Sequence, residues 1–352
     1  MICLGPLRKK LILALRLARA NRWWVWTNRR LFLRTKASGV RGAADSDWVF
    51  KLVFSRPRSS VPRVMGLVLD LGRFGNAVSR ISKACAVAFE HEWTGLVVPQ
   101  AGHFPAYKHL ISSNAVGREG FNISFGHDRW SWDEVPRYLV RREFYFAHAD
   151  PDQRIQITVR DLVRDVFPGL APPEPLDPSH LVIHVRSGDI YFREGLGNWG
   201  QPPFAFYEAV LASAEWTQVT VVCEDAISPV IEPIRDLCQA LEMHYQFQSS
   251  SLEDDLYILT SARSLVVGRG TFAPAVVILN PHLDTVFFFE DRFSSNFLLA
   301  QTKVVRITDS VGEYTASVLQ GNWANSEEQR EMMLSYPVVA LQSEVLQNMA
   351  EE

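Results

Sequence analysis

Apolar residues along this chain fall into two recurring patterns: short β-branched runs and stretches at helical spacing. Val64-Met-Gly-Leu-Val-Leu-Asp70 reads as a strand. Gly72-Arg-Phe-Gly-Asn76 follows as a tight turn, with Asn76 a suitable N-cap. Val78, Ile81, Cys85, Ala88 and Phe89 then recur as one face of a helix, and Gly95-Leu-Val-Val98 is the next strand. The stretch from Phe104 to about Tyr145 is aromatic and shows no clear period. A short helix is expected over Asp161–Phe167. Ala171–Pro178 carries four prolines in eight residues, which suits a stiff linker.

Beyond that linker the alternation is more regular. An apolar run opens Leu181-Val-Ile-His-Val-Arg-Ser-Gly-Asp-Ile190 and reads as a buried strand. A helix over Pro203–Trp216 precedes a strand at Gln218–Cys223. A helix over Val230–Met243 precedes a strand at Tyr245–Gln248. Ser251-Leu-Glu-Asp254 has the form of a capping box, opening a helix that runs to about Ala262. Ser264–Val267, Ala273–Leu279 and Thr285–Phe289 read as strand, helix and strand. Such alternation predicts a parallel, doubly wound α/β sheet. Asn325–Leu334 adds a helix with acids in its first turn, where the helix dipole favours them. The expected organisation is an extension over 1–60, a first α/β domain over 61–175, a second over 178–300 and a helical tail over 301–352.

Composition changes this picture mainly at the N-terminus. The 352 residues are 47% hydrophobic and 21% charged, which are globular values. A net charge of −3 argues against a nucleic-acid binder. Residues 1–44, in contrast, hold eleven Lys or Arg and no acid, together with Trp23, Trp24 and Trp26. Leu11–Leu17 is too short to span a bilayer. The segment suits peripheral contact with an anionic membrane surface, and equally a solvated basic extension; a misplaced start, with the true domain beginning near residue 60, is a third reading. Cys3, Cys85, Cys223 and Cys238 have no metal-binding spacing, and Cys85 and Cys223 lie in apolar runs, which suits a reducing compartment. The expected location is the cytoplasm or a membrane surface, with a Golgi or secretory lumen also compatible.

Four places combine polar residues with strand ends or helix starts. Gly72, Gly75 and Asn76 lie at a helix start, where backbone N–H groups receive an anion or a sugar hydroxyl. His184, Arg186 and Asp189 follow a strand and a turn at Gly188; a guanidinium there suits a phosphate, or an Arg–Asp pair simply fixes the turn. Glu224 and Asp225 end the next strand. Asp255, with Gly268-Arg-Gly-Thr271, combines a helix start with a loop shaped like a phosphate cradle, or else a helix cap with an ordinary turn.

His184-Val-Arg-Ser-Gly-Asp189 resembles the HxRxGD motif of the fucosyltransferases that use GDP-fucose. Gly72-Arg-Phe-Gly-Asn76 is similar to the G-x-x-G-N opening of the α1,2 group, and Asp255–Thr271 to the family's third motif. The resemblance covers roughly residues 62–292. It implies a GT-B-like fold of two Rossmann-like domains with a cleft, and inverting transfer of fucose from GDP-fucose to a glycan hydroxyl without a metal or other cofactor. By position, Arg186 and Thr271 would hold the β-phosphate, and His184 and Asp255 the guanine. Gly270 and Asp225 would complete the donor site, and Gly72, Gly75 and Asn76 the acceptor side. Glu194 is the first candidate for general base and Asp189 the second. Ser187 replaces the second Arg of many members, Phe-Ala-Pro-Ala-Val follows Thr271 in place of Ser-Trp-Trp, and Ala77 replaces a Gln. Acceptor and linkage are therefore not defined. A transferase using another nucleotide sugar, and a non-catalytic glycan or nucleotide-sugar binding protein, are the alternatives.

Overall fold

The first parallel pair forms where β-branched and helical periods alternate. In the computed structural model the described residues are 64–67, 73–90, 94–98, 107–112, 114–125, 139–140, 153–170, 174–192, 199–290, 301–320 and 323–346. The basic extension, residues 1–60, lies outside them. Strand β1 (Val64–Leu67), helix α1 (Phe74–Glu90) and strand β2 (Gly95–Val98) make the expected βαβ unit, with Val64 opposite Gly95 in a parallel ladder. Ala77, Val78, Ile81, Ala84, Cys85 and Ala88 of α1 are fully buried, as the spacing requires.

Strands β3 (Val116–Arg118) and β4 (Phe121–Phe125) form an antiparallel hairpin. Glu119 and Gly120 turn it with φ of 50° and 79°, the left-handed pair that a two-residue hairpin needs. With β5 (Leu139–Val140) the first sheet has the order β3-β4-β2-β1-β5.

Helix α2 (Gln153–Val166) begins eight residues before the expected start at Asp161. Its buried face includes Thr158 and Arg160 beside Val159, Leu162, Val163 and Val166, so two polar residues interrupt the apolar pattern. The Arg160 guanidinium, buried against the Asn280 carbonyl, is pushed down to about 9 by desolvation, with Arg164 adding to the shift.

The second sheet is built from β6 (His180–Val185), α3 (Phe204–Leu211), β7 (Gln218–Cys223), α4 (Ile231–Ala240) and β8 (His244–Gln248). It continues through α5 (Leu252–Ser261), β9 (Ser264–Val266), α6 (Phe272–Leu279), β10 (Thr285–Phe289) and β11 (Lys303–Asp309). Helix α7 (Glu327–Ser335) and β12 (Leu341–Leu346) complete it. The strand order is β12-β11-β10-β9-β6-β7-β8, with every pair parallel except β11–β12.

Counted in chain order, the six parallel strands take the doubly wound order third, second, first, fourth, fifth, sixth. The order reverses between β6 and β9, where Ile183 pairs with Val266. In such sheets ligands enter at the carboxyl ends of the strands beside that reversal. All six residues of β6 are buried, as a central strand covered on both faces demands.

The tail departs from expectation. Residues 301–352 hold β11 and β12 as well as α7, not helix alone. Four residues of β12 are exposed, because it is an edge strand joined to β11 through backbone hydrogen bonds; its Gln342-Ser-Glu344 stretch therefore carries no apolar alternation.

Candidate functional site at the switch point

Strand β6 delivers His184 and Arg186 to its carboxyl end. His184 is buried, packs its ring 5.1 Å from that of Phe272, and leaves Nδ1 without a hydrogen bond among the described residues. Burial, reinforced by the Arg186 charge, pushes its imidazole down to about 3, so the ring is neutral at any physiological pH. Gly268, in the loop just after β9, allows this arrangement: a Cβ there would lie 2.8 Å from the His184 carbonyl and 3.1 Å from the Arg186 nitrogen. The switch point is closed by glycine because two backbones meet there.

Arg186, with 18% of its side chain exposed, pairs with Asp189 and approaches Glu224 at 3.4 Å. Asp189 receives a second guanidinium, Arg73 Nη2 at 3.2 Å, from the start of α1. Two arginines from different α/β halves thus converge on one carboxylate. Each guanidinium has five donors, and these pairs leave several for a ligand. Gly188 is required twice, by its φ of 71° and by Glu224 Oε2, which a Cβ would meet at 2.5 Å. Arg73 lies inside the G-x-x-G-N segment, at a position to which the motif gives no role. Its only sequence signal is its place immediately before a helix.

Asp225 has a structural role. Its Oδ1 accepts from the Ser187 hydroxyl and from the Ile227 N–H at 3.1 Å, and Ser187 Oγ in turn accepts from Ser228 N–H. Ser187 is fully buried in this turn, which accounts for a small hydroxyl at a position where a second Arg would not fit.

Asp255 belongs to the first turn of α5. The cap of that helix is Ser251, whose Oγ accepts from Asp254 N–H at 3.2 Å and donates to the Asp254 carboxylate. Asp255 is therefore not the capping residue. Its Oδ1 accepts from Gln248 Nε2 at 3.1 Å and Ser250 N–H at 3.3 Å, and Oδ2 takes no bond among the described residues. Partial burial raises its pKa above the ordinary carboxylate value.

Thr271 is the N-cap of α6, exposed, and its hydroxyl makes no capping bond. Gly270 precedes it at φ 143°, open to glycine alone. Gly75, expected at an open anion site, instead packs on this loop: a Cβ would lie 2.7 Å from the backbone of Thr271 and Phe272. Asn76 is not an N-cap either. Helix α1 begins at Phe74, and Ala77 N–H bonds the Arg73 carbonyl at 3.1 Å. Phe74 is drawn into the helix by its burial among Tyr107, Phe167 and Phe272, with ring centroids 5.7, 5.3 and 6.2 Å away. Gly72 and Glu194 lie outside the described residues. Gly75→Ala is expected to cost about 1–3 kcal/mol of stability, because backbone cannot yield as a side chain can; chemical denaturation measures it, and an unchanged midpoint would refute the close packing.

No family model and no curated protein matches this chain. Solved structures similar to it include POFUT1 in complex with GDP, at 11% identity and TM-score 0.34, covering 66% of this chain and 99% of that one. The E. coli heptosyltransferase WaaC with ADP shows 12% identity and TM-score 0.38, covering 76% and 98%. TibC, an iron-containing dodecameric glycosyltransferase of enterotoxigenic E. coli, shows 13% identity and TM-score 0.38, covering 79% and 76%. Likeness this slight carries no functional weight; the chemistry has to come from the site itself.

Proposed function

We propose that this chain is a glycosyltransferase that uses a nucleotide sugar, and that its donor is GDP-fucose and its acceptor a glycan hydroxyl. The observation that carries the reading is the convergence of Arg186 and Arg73 on Asp189 at the switch point of a doubly wound sheet. Charge moves onto the diphosphate as the glycosidic bond to it breaks. Two guanidiniums held beforehand by carboxylates meet that charge without reorganising. Thr271 adds a hydroxyl from the loop beyond β9. Asp255 keeps Oδ2 unbonded among the described residues at the same edge, an acceptor for an N–H donor of guanine. His184 stays neutral and offers its imidazole to the base rather than a competing charge to the phosphate.

Among the described residues no three His, Cys, Asp or Glu side chains converge as a metal site. In this reading Arg186 and Arg73 take the part a divalent ion would play. Release of fucose from GDP-fucose should therefore persist in excess EDTA, as should transfer to a glycan array. Loss of turnover in EDTA, restored by Mn²⁺ or Mg²⁺, would overturn the metal-free reading. Binding of the donor without any turnover would leave a nucleotide-sugar binding protein.

A further inference from the structure

Trp199 is 39% exposed, and its indole has neither a ring partner nor a hydrogen bond among the described residues. Its backbone, in contrast, is fixed from several sides. The Trp199 carbonyl accepts from Gln201 Nε2 at 2.8 Å, and the Gly200 carbonyl accepts from Arg269 Nη1 at 2.7 Å. The Gln201 carbonyl accepts from the Tyr314 hydroxyl at 2.6 Å. Gly200 is pressed onto Val318, whose carbonyl oxygen would lie 2.1 Å from any Cβ. Pro202 and Pro203, both buried, stiffen the chain as it enters α3.

This anchoring holds the exposed indole at a fixed place. The indole lies beside the loop after β9: a methyl group on Gly270 would touch its Cζ3 at 3.9 Å. Gly270 precedes Thr271, the residue assigned to the β-phosphate, and a donor sugar hangs directly from that phosphate. A pyranose presents one face of C–H groups and a rim of hydroxyls. An indole offers an apolar face of matching size and one N–H donor at its edge, at small conformational cost.

We propose that Trp199 is the stacking wall for the donor's sugar ring. The inference rests on the nucleotide-sugar reading and adds to it the residue that distinguishes a nucleotide sugar from its nucleoside diphosphate. Calorimetric titration of the wild type, Trp199→Ala and Trp199→Phe with GDP and with GDP-fucose tests it. Trp199→Ala should bind GDP-fucose about tenfold more weakly, the scale of one lost aromatic contact, and GDP within about twofold of wild type. Trp199→Phe should recover most of the difference, and melting temperatures should stay together. Equal weakening toward GDP and GDP-fucose would overturn the proposal, since the role would then be structural or nucleotide-directed. Unchanged GDP-fucose affinity, or an effect confined to the acceptor KM, would overturn it too. Failure of the wild type to bind either ligand would instead fell the nucleotide-sugar reading, and this inference with it.

Discussion

Arg186→Ala is expected to lower transfer from GDP-fucose by about 10²-fold or more, the scale seen when a preorganised charge-stabilising donor is removed. The fold should survive. Asp189 keeps Arg73 as a partner, Glu224 is exposed, and partly exposed pairs of this kind contribute at most about 1 kcal/mol. Arg186→Lys should be nearly as poor: an ammonium retains the charge but cannot span Asp189, Glu224 and a phosphate from one planar fork. Steady-state kinetics beside thermal melts decide the matter. An active Arg186→Ala enzyme with an unchanged donor KM would remove Arg186 from the diphosphate. Arg73→Ala should show a weaker form of the same loss, since Arg73 is 61% exposed and, among the described residues, reaches the cluster through Asp189.

Much of the second sheet is legible in the sequence because central parallel strands are apolar throughout. Leu181–Val185, Val219–Cys223 and Ser264–Val266 can hardly be read otherwise, and their strand–helix alternation implies a doubly wound order. What stays hidden has specific causes. Strand β12 pairs through its backbone at an exposed edge, so its side chains carry no signal. Helix α2 buries an arginine against a carbonyl from a distant helix end, which the local period cannot foretell.

At the site, the residues after β6 and β9 stand out because polar residues closing an apolar run mark strand ends. Their partners do not. Arg73 meets Asp189 across 116 positions of sequence, and Trp199 matters through a fixed backbone and a neighbouring glycine rather than any motif. Gly75 is marked as a special glycine by its turn, but for a different reason than an anion site: it admits the backbone of another loop. Asp225 sits at the expected strand end, where one of its oxygens, Oδ1, accepts from Ser187 and Ile227.

Asp255→Asn should separate base recognition from structure. Among the described residues both bonds Asp255 accepts fall on Oδ1, and the amide oxygen of Asn can accept the same two from Gln248 and Ser250. The amide nitrogen then takes the place of Oδ2 and faces the guanine N–H groups, donor against donor. GDP affinity should therefore fall about 10- to 100-fold, the scale of a lost hydrogen bond to a charged group plus an unpaired one. Stability should not fall with it. Burial raises the Asp255 pKa, so the folded state binds the proton more tightly than the unfolded chain, and the ionised carboxylate costs stability once the pH is above both values. Removing that charge should leave the melting temperature at neutral pH unchanged or slightly higher. The same shift sets a pH dependence. GDP binding to the wild type should weaken as pH falls through the raised pKa, because the protonated carboxyl offers a donor where guanine needs an acceptor. The Asn variant should be flat over that range. The wild type should also prefer GDP to ADP and UDP, since adenine has no donor at N1 or C2 to meet the carboxylate and a half-buried charge left unpaired carries a cost. Titrating all three nucleotides against both proteins across pH measures each arm. Equal affinity of wild type and Asp255→Asn for GDP would make Asp255 a residue that ties β8 to α5, and base selectivity would then have to come from elsewhere along the same edge.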